Sequence, residues 1–337
     1  MVMRRVVVVG AVAVMLSATL VAQQPRYNSA QSREIQGIAK VLEGVAEGQP
    51  APDDLSIVWM RADLLKATDQ LQYVPFTVTI DASKLSGRDL SVYWRVVATP
   101  VEAAAEAQAP AKPVGYAYEY LTSTTLPSGT SGVVPLSRSF TVGPGSYDVY
   151  VVVKEPTSNQ RNAPAPKMSV LKQDFTVPDL WTSELTTSSV IFAERVEPLP
   201  APLTPQQQIE RPYALGTREL VPSFDMSFAK SDEITMFLLV YNPSADSANK
   251  PDVTVEYNFY AKEGESEKFF NRTNPQALNA STLDPAFNLS MGHQLPSGQT
   301  IPAAVFPPGT YRLEVKVTDK LGSQSVTRDV NFTVAGL

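Results

Sequence analysis

Acid–base chemistry in this chain would have to start from one imidazole. His293, in SMGHQLPSG, is the single histidine, and the 337 residues contain no cysteine. A Ser-His-Asp triad would need His293 as its base, yet no G-x-S-x-G elbow presents a serine. Zinc would rest mainly on carboxylates, a poor match to its preference for nitrogen and sulfur. HExxH, the GxxxxGK[ST] phosphate loop and G-x-G-x-x-G are all missing from the sequence. His293 therefore reads as a turn or surface residue, and no catalytic residue, cofactor or metal site is assigned.

Oxygen ligands are plentiful, which suits calcium. Asp53-Asp54, Asp225, Asp232-Glu233, Asp252 and Asp319 fall at turns or element ends, but none sits in a D-x-D-x-D-G loop. They read as solvated turn carboxylates. A convergent carboxylate pair for glycoside hydrolysis is a third-ranked reading, disfavoured by the small, filled core that the strands below imply.

One stretch has the chemistry of a binding face. GYAYEYL places Tyr116, Tyr118 and Tyr120 at alternate positions, which on a strand is one face. Such a ladder stacks on sugar rings or anchors a protein. The competing reading is that the rings line the core. In EKFFN, Phe269 and Phe270 point to opposite faces, one of them toward solvent.

The elements that must position these residues are strands. Prolines, at 28, outnumber glycines, at 17, which favours many short elements joined by rigid turns. Runs such as VPFTVTID, LSVYWRVVA, EITMFLLVYN and DVTVEYNFYAK are β-branched or alternating. Strands do not alternate with long helices, which disfavours a parallel α/β fold. One amphipathic helix is expected at about 32–47, with Ile35, Ile38, Val41, Leu42 and Val45 on one stripe, capped by Asn28 or Ser32 and docked on the first domain.

The phrase GPGSYDVYVVV (Gly143–Val153) returns as PPGTYRLEVKV (Pro307–Val317), with Tyr147 and Tyr311 offset by 164 residues. SVYWRVVA and TVEYNFYA repeat at an offset of 163, so Trp94 meets Tyr257; DFTV and NFTV repeat at 157. A near-constant offset argues for tandem duplication. The unit is interpretable: a large aromatic on one central strand fills the core, and a tyrosine after PG[ST] returns its hydroxyl to the preceding corner. Trp94, Tyr147, Tyr257 and Tyr311 are thus assigned structural roles, each burial contributing roughly 1.5–3 kcal/mol.

These residues resemble tandem immunoglobulin-like or fibronectin-III-like β-sandwiches over about 55–337. The cysteine pair of antibody-type domains is absent. The stretches LWTSELTTSSVIFAERVEPLPAPLTPQQQIERPYALG, KPDVTVEYNFYAK and PPGTYRLEVKVTDK also resemble exported proteins of Acidobacteria-like bacteria. Some relatives of those carry a GWxTD-type domain, but Gly-Trp-x-Thr-Asp does not occur here. That resemblance implies a host and a compartment and no activity.

Compartment also follows from the first residues. MVMRRVVVVGAVAVMLSATLVAQQ has Arg4 and Arg5, an apolar run from Val6 to Leu20, and Ala22 before the expected cleavage. The alternative is an uncleaved anchor; the run is shorter than the ~20 residues a spanning helix needs. Without cysteine, lipoprotein anchoring is closed. The net charge of −6 argues against nucleic acid as a partner. The reading is an all-β chain: signal peptide 1–22, helix and linker 23–54, and two antiparallel immunoglobulin-like sandwiches at 55–179 and 180–337. It is read as a periplasmic or secreted, non-catalytic envelope module that binds or scaffolds another protein. Glycan binding through Tyr116, Tyr118 and Tyr120 is the alternative.

Overall fold

The computed structural model describes residues 27–99, 116–157 and 164–336. The expected signal peptide and most of the Ala/Pro-rich stretch 99–115 lie outside the described residues. The described chain divides into two units, one of residues 27–62 and 71–179, the other of residues 63–70 and 180–336. Twenty strands, two α-helices and three short 3-10 helices make up the described elements, so the architecture is all-β, as the alternating runs predict.

The first unit begins with α1 (Ser29–Ala46) and β1 (Val58–Ala62). After β2 (Leu65–Lys66), which counts with the second unit, come β3 (Gln72–Asp81), β4 (Asp89–Ala98), β5 (Tyr118–Thr125), β6 (Val133–Val142), β7 (Gly145–Lys154) and β8 (Met168–Val177). One antiparallel sheet runs β5-β4-β7-β8, and in another β1 and β6 both pair antiparallel with β3. Between them lies an aromatic core. Phe76 of β3 meets Trp94 of β4 edge-on at 6.1 Å, and the Trp94 indole donates across the sandwich to the Ser139 carbonyl at 3.0 Å.

Strand β7 carries valines on both faces, and both are buried. A two-sided apolar strand needs a second cover, and α1 supplies it: Ile38 and Leu42 pack with Tyr93, Leu121, Tyr150, Val152 and Val170 on the sheet's outer face. The helix starts three residues earlier than its apolar stripe suggests, because Asn28 makes a reciprocal capping box with Gln31. Lys154–Glu34, at 3.4 Å, ties its polar flank to the sheet, and the Leu121 N–H donates to the Tyr27 hydroxyl.

The second unit holds β9 (Thr186–Thr187), β10 (Ile191–Pro198), α2 (Pro205–Glu210), β11 (Ala214–Leu215), β12 (Arg218–Pro222), β13 (Ser227–Phe228), β14 (Glu233–Tyr241), β15 (Asp252–Glu263), β16 (Ser266–Arg272), β17 (Gln276–Asn279), β18 (Leu295–Pro302), β19 (Gly309–Asp319) and β20 (Gln324–Val334). One sheet is ordered β11-β12-β10-β14-β18, the other β13-β20-β19-β15-β16. Their inner faces share one core, with Phe192, Phe259, Phe306, Tyr311 and Phe332 in mutual ring contact. Tyr257, matched to Trp94 in the sequence alignment, also reaches the opposite sheet, sharing a 2.7 Å hydrogen bond with Ser297.

Candidate functional site

The tyrosines of the repeated phrase close their corners. Tyr147 donates to the Gly143 carbonyl at 2.9 Å, and Tyr311 to the Pro307 carbonyl at 2.7 Å. Gly145 and Gly309 sit at φ 154° and 157°, where a side chain is strained. A Cβ on Gly145 would only touch the Tyr147 hydroxyl, at 3.4 Å, so the backbone angle is the constraint. Trp94 and Tyr257 are fully buried. All four residues sit in cores or corners and present no chemistry outward.

The tyrosine ladder does not form. Tyr118 is half-buried and Tyr120 buried, and both stack on Trp94, at 6.4 and 5.3 Å. Tyr116, 47% exposed, lies instead over the Arg95 guanidinium at 3.7 Å. Arg95 stands on the outer face, bonded to Glu119 at 2.8 Å. Alternation fails because β5 begins only at Tyr118 and Ala117 is a bend, so Tyr116 is not held in the strand's pleat. The expected common face of Tyr116, Tyr118 and Tyr120 is therefore corrected to two core rings and one surface ring.

His293 accepts the Asn288 N–H on Nδ1 at 3.1 Å and packs edge-on against Phe287. It holds a turn. The candidate calcium carboxylates are dispersed. Asp54 accepts from Met168 N–H, Asp225 from Ser227 N–H and Asp232 from Ala229 N–H. Asp319 differs from the solvated residue expected: it is 1% exposed and accepts the N–H groups of Ser244 and Leu321. Among the described residues no three His, Asp or Glu side chains group to hold a metal ion.

A different surface has the makings of a site. On β19, Tyr311, Leu313, Val315 and Val317 point into the core, so Arg312, Glu314 and Lys316 point out. Register places Tyr260 of β15 beside Arg312, Phe269 of β16 beside Tyr260, and Asn331 of β20 on the other flank. The register shift beside Phe259/Tyr260 sends Phe270 inward, onto Phe306 and Tyr311 at 5.4 Å each. Phe269 is left outward and 53% exposed.

Arg312 is the hub. Its guanidinium lies 4.3 Å from the centre of the Tyr260 ring. It bonds Glu267 at 2.8 Å, Glu314 at 3.4 Å, and Asp329. Burial opposes its charge, but hydrogen bonds to Glu267 and Asp329 outweigh that and hold its pKa above the ordinary arginine value. Tyr260 meets Phe269 edge-on at 5.8 Å. The result is an Arg–Tyr–Phe cluster, rimmed by three carboxylates, on an open sheet face. Neither Arg312 nor Tyr260 stands out in a motif search. Their signal is the outward parity of TYRLEVKV, where Glu314 and Lys316 stand in place of Tyr150 and Val152 and Arg312 in place of Asp148 of the first copy.

No protein-family model matches this chain, and no curated protein matches it. Two crystal structures of Salmonella alpha-2-macroglobulin, one reacted with methylamine and one a mutant, are similar at 13% identity and a TM-score of 0.22. The matches cover 85% and 86% of this chain. The chain spans 17% of the length of those proteins, and at that score the likeness carries no argument about fold or function.

Proposed function

We propose that this chain is an exported, non-catalytic envelope module that binds another protein through the Arg312–Tyr260–Phe269 face of the second unit. One observation carries the reading. The sheet face that α1 covers in the first unit has a counterpart in the second that displays arginine and aromatic side chains to water. Arg and Tyr are enriched where few residues dominate binding energy, and an exposed Phe adds apolar area. Three carboxylates around one guanidinium favour a partner that brings Lys or Arg to the rim. Export rests on the Arg4-Arg5 n-region and the apolar run after it, and the tandem immunoglobulin-like reading rests on the repeated phrase.

The test is in-cell crosslinking of the tagged chain in its own host, followed by pull-down and mass spectrometry. A stoichiometric envelope protein is expected. Its recovery should fall about tenfold in the Phe269→Ala/Arg312→Ala double variant, equivalent to ~1.4 kcal/mol. Equal recovery by a folded double variant removes this face from the function. Failure to recover any protein partner removes the binding reading itself.

A further inference from the structure

Between β1 and β3 the chain reads DLLKATDQ, residues Asp63–Gln70, and this segment counts with the second unit. Its contacts are dense and specific. Asp63 is 2% exposed, and its carboxylate accepts from the Tyr213 hydroxyl at 2.7 Å. Both backbone groups of Leu64 are bonded to Ser189: the N–H donates to Oγ at 2.9 Å, and the carbonyl accepts the Ser189 N–H at 3.0 Å. Leu65 is buried. Lys66 donates its N–H to the Tyr241 hydroxyl at 3.1 Å and its ammonium to Asn242 Oδ1 at 2.5 Å. That ammonium also lies 4.4 Å from the Trp181 ring centre and 5.1 Å from that of Tyr241.

The receiving residues are built for this. Asn242 Nδ2 donates to the carbonyls of Leu180 and Glu184, which turns Oδ1 toward the lysine. Two aromatic faces and an amide oxygen are a fitting receptor for a primary ammonium. The segment leads into β3 through a turn at Asp69 and Gln70, consecutive non-glycine residues at φ 56° and 60°, the positive-φ pair that a two-residue hairpin turn uses.

We propose that Trp181, Ser189, Tyr213, Tyr241 and Asn242 form a peptide-recognition socket for an extended Asp-x-apolar-Lys segment, filled by the chain's own residues 63–66 and able to take the same loop from a second copy once its own is withdrawn. The socket reads a carboxylate, the backbone of the next residue, an apolar side chain and a lysine, in that order. Tethering gives the cis loop an effective concentration of order mM, so the cis state dominates in dilute solution. Loop and socket are different surfaces, so exchange is head-to-tail rather than two-fold.

The experiment uses full-length chains. Asp63→Ala/Lys66→Ala vacates the socket; Trp181→Ala breaks the socket and leaves a free loop. Circular dichroism checks that both fold. A fluorescent peptide of residues 62–71 should bind the vacated chain at least about tenfold more tightly than wild type, and a peptide carrying Lys66→Ala should lose about tenfold. Mixing the two variants should give a 1:1 complex in light scattering, where neither alone associates. The proposal is overturned if the vacated chain binds both peptides equally or neither up to ~1 mM, or if the mixture stays monomeric. Amide exchange in the wild type gives an independent check: Leu64 and Lys66 should be protected, and unprotected amides there overturn the socket without any variant.

Discussion

Strands β7 and β19 start from the same phrase and end in different surroundings. Inward, the two match: Tyr147, Val149, Val151 and Val153 against Tyr311, Leu313, Val315 and Val317, all buried. Outward, β7 offers Tyr150 and Val152 to α1, while β19 offers Arg312, Glu314 and an exposed Lys316 to water. A strand that is apolar on both faces commits its fold to a second layer. A strand that is apolar on one face leaves the other free for surface chemistry. One half of this molecule thus covers an outer sheet face with its own helix, and the other half leaves charged side chains on that face.

The largest expected effect tests whether α1 is part of the first unit's core. Leu42→Ala should cost about 2–5 kcal/mol, by lost burial and the cavity left behind. Lys316→Ala, on the open face of the second unit, should change stability by no more than ~0.5 kcal/mol. Denaturant unfolding followed by circular dichroism measures both. A Leu42→Ala cost below ~1 kcal/mol would break the comparison, since the helix would then be an appendage.

A middle-sized effect tests what the halves share. Tyr147→Phe and Tyr311→Phe each remove one hydroxyl-to-carbonyl bond, worth roughly 0.5–1.5 kcal/mol. Similar costs in the two units would sharpen the picture of one corner used twice. A large cost in one alone would show that the corners carry different loads.

The smallest effect is alkaline sensitivity. Burial is the leading cause that raises the phenol pKa of Tyr27, to about 12, and raises those of Tyr73, Tyr93 and Tyr118 in the first unit. Tyr241 and Tyr257 are raised in the same way in the second. Above the ordinary phenol value near ~10, the unfolded chain releases protons that the folded chain keeps. Stability is therefore intact below pH ~10 and falls as pH rises toward 12. The first unit should unfold at lower pH than the second, seen as phenolate absorbance rising together with loss of the strand signal. Coincident transitions in the two units would contradict the ordering.

Much of this was legible beforehand because period-two patterns report burial directly. The strands and the amphipathic helix follow from which positions are apolar. The corner tyrosines follow from PG[ST]Y, where proline, glycine and a capping hydroxyl each have a local reason. Tyr116 departs from the pattern for an equally local reason: alternation holds only along an extended strand, and the bend at Ala117 interrupts it. Asp319 was expected in water, yet two backbone N–H groups from distant and adjacent turns hold it inside.

By itself the sequence determined an all-β chain, its repeated corner, the two central aromatics and an amphipathic helix with an apolar stripe to dock on the first domain. These depend on short-range periodicity and on residue-specific backbone limits. Only the tertiary structure decided that Tyr260, Phe269 and Arg312 form one cluster, and that Asp63–Lys66 lies against Tyr213, Ser189, Tyr241 and Asn242. Arg312 reaches 45 positions back to Glu267, and Lys66 reaches 176 positions forward to Asn242. Strand register and chain crossing set such contacts, and neither is written in any single window of residues.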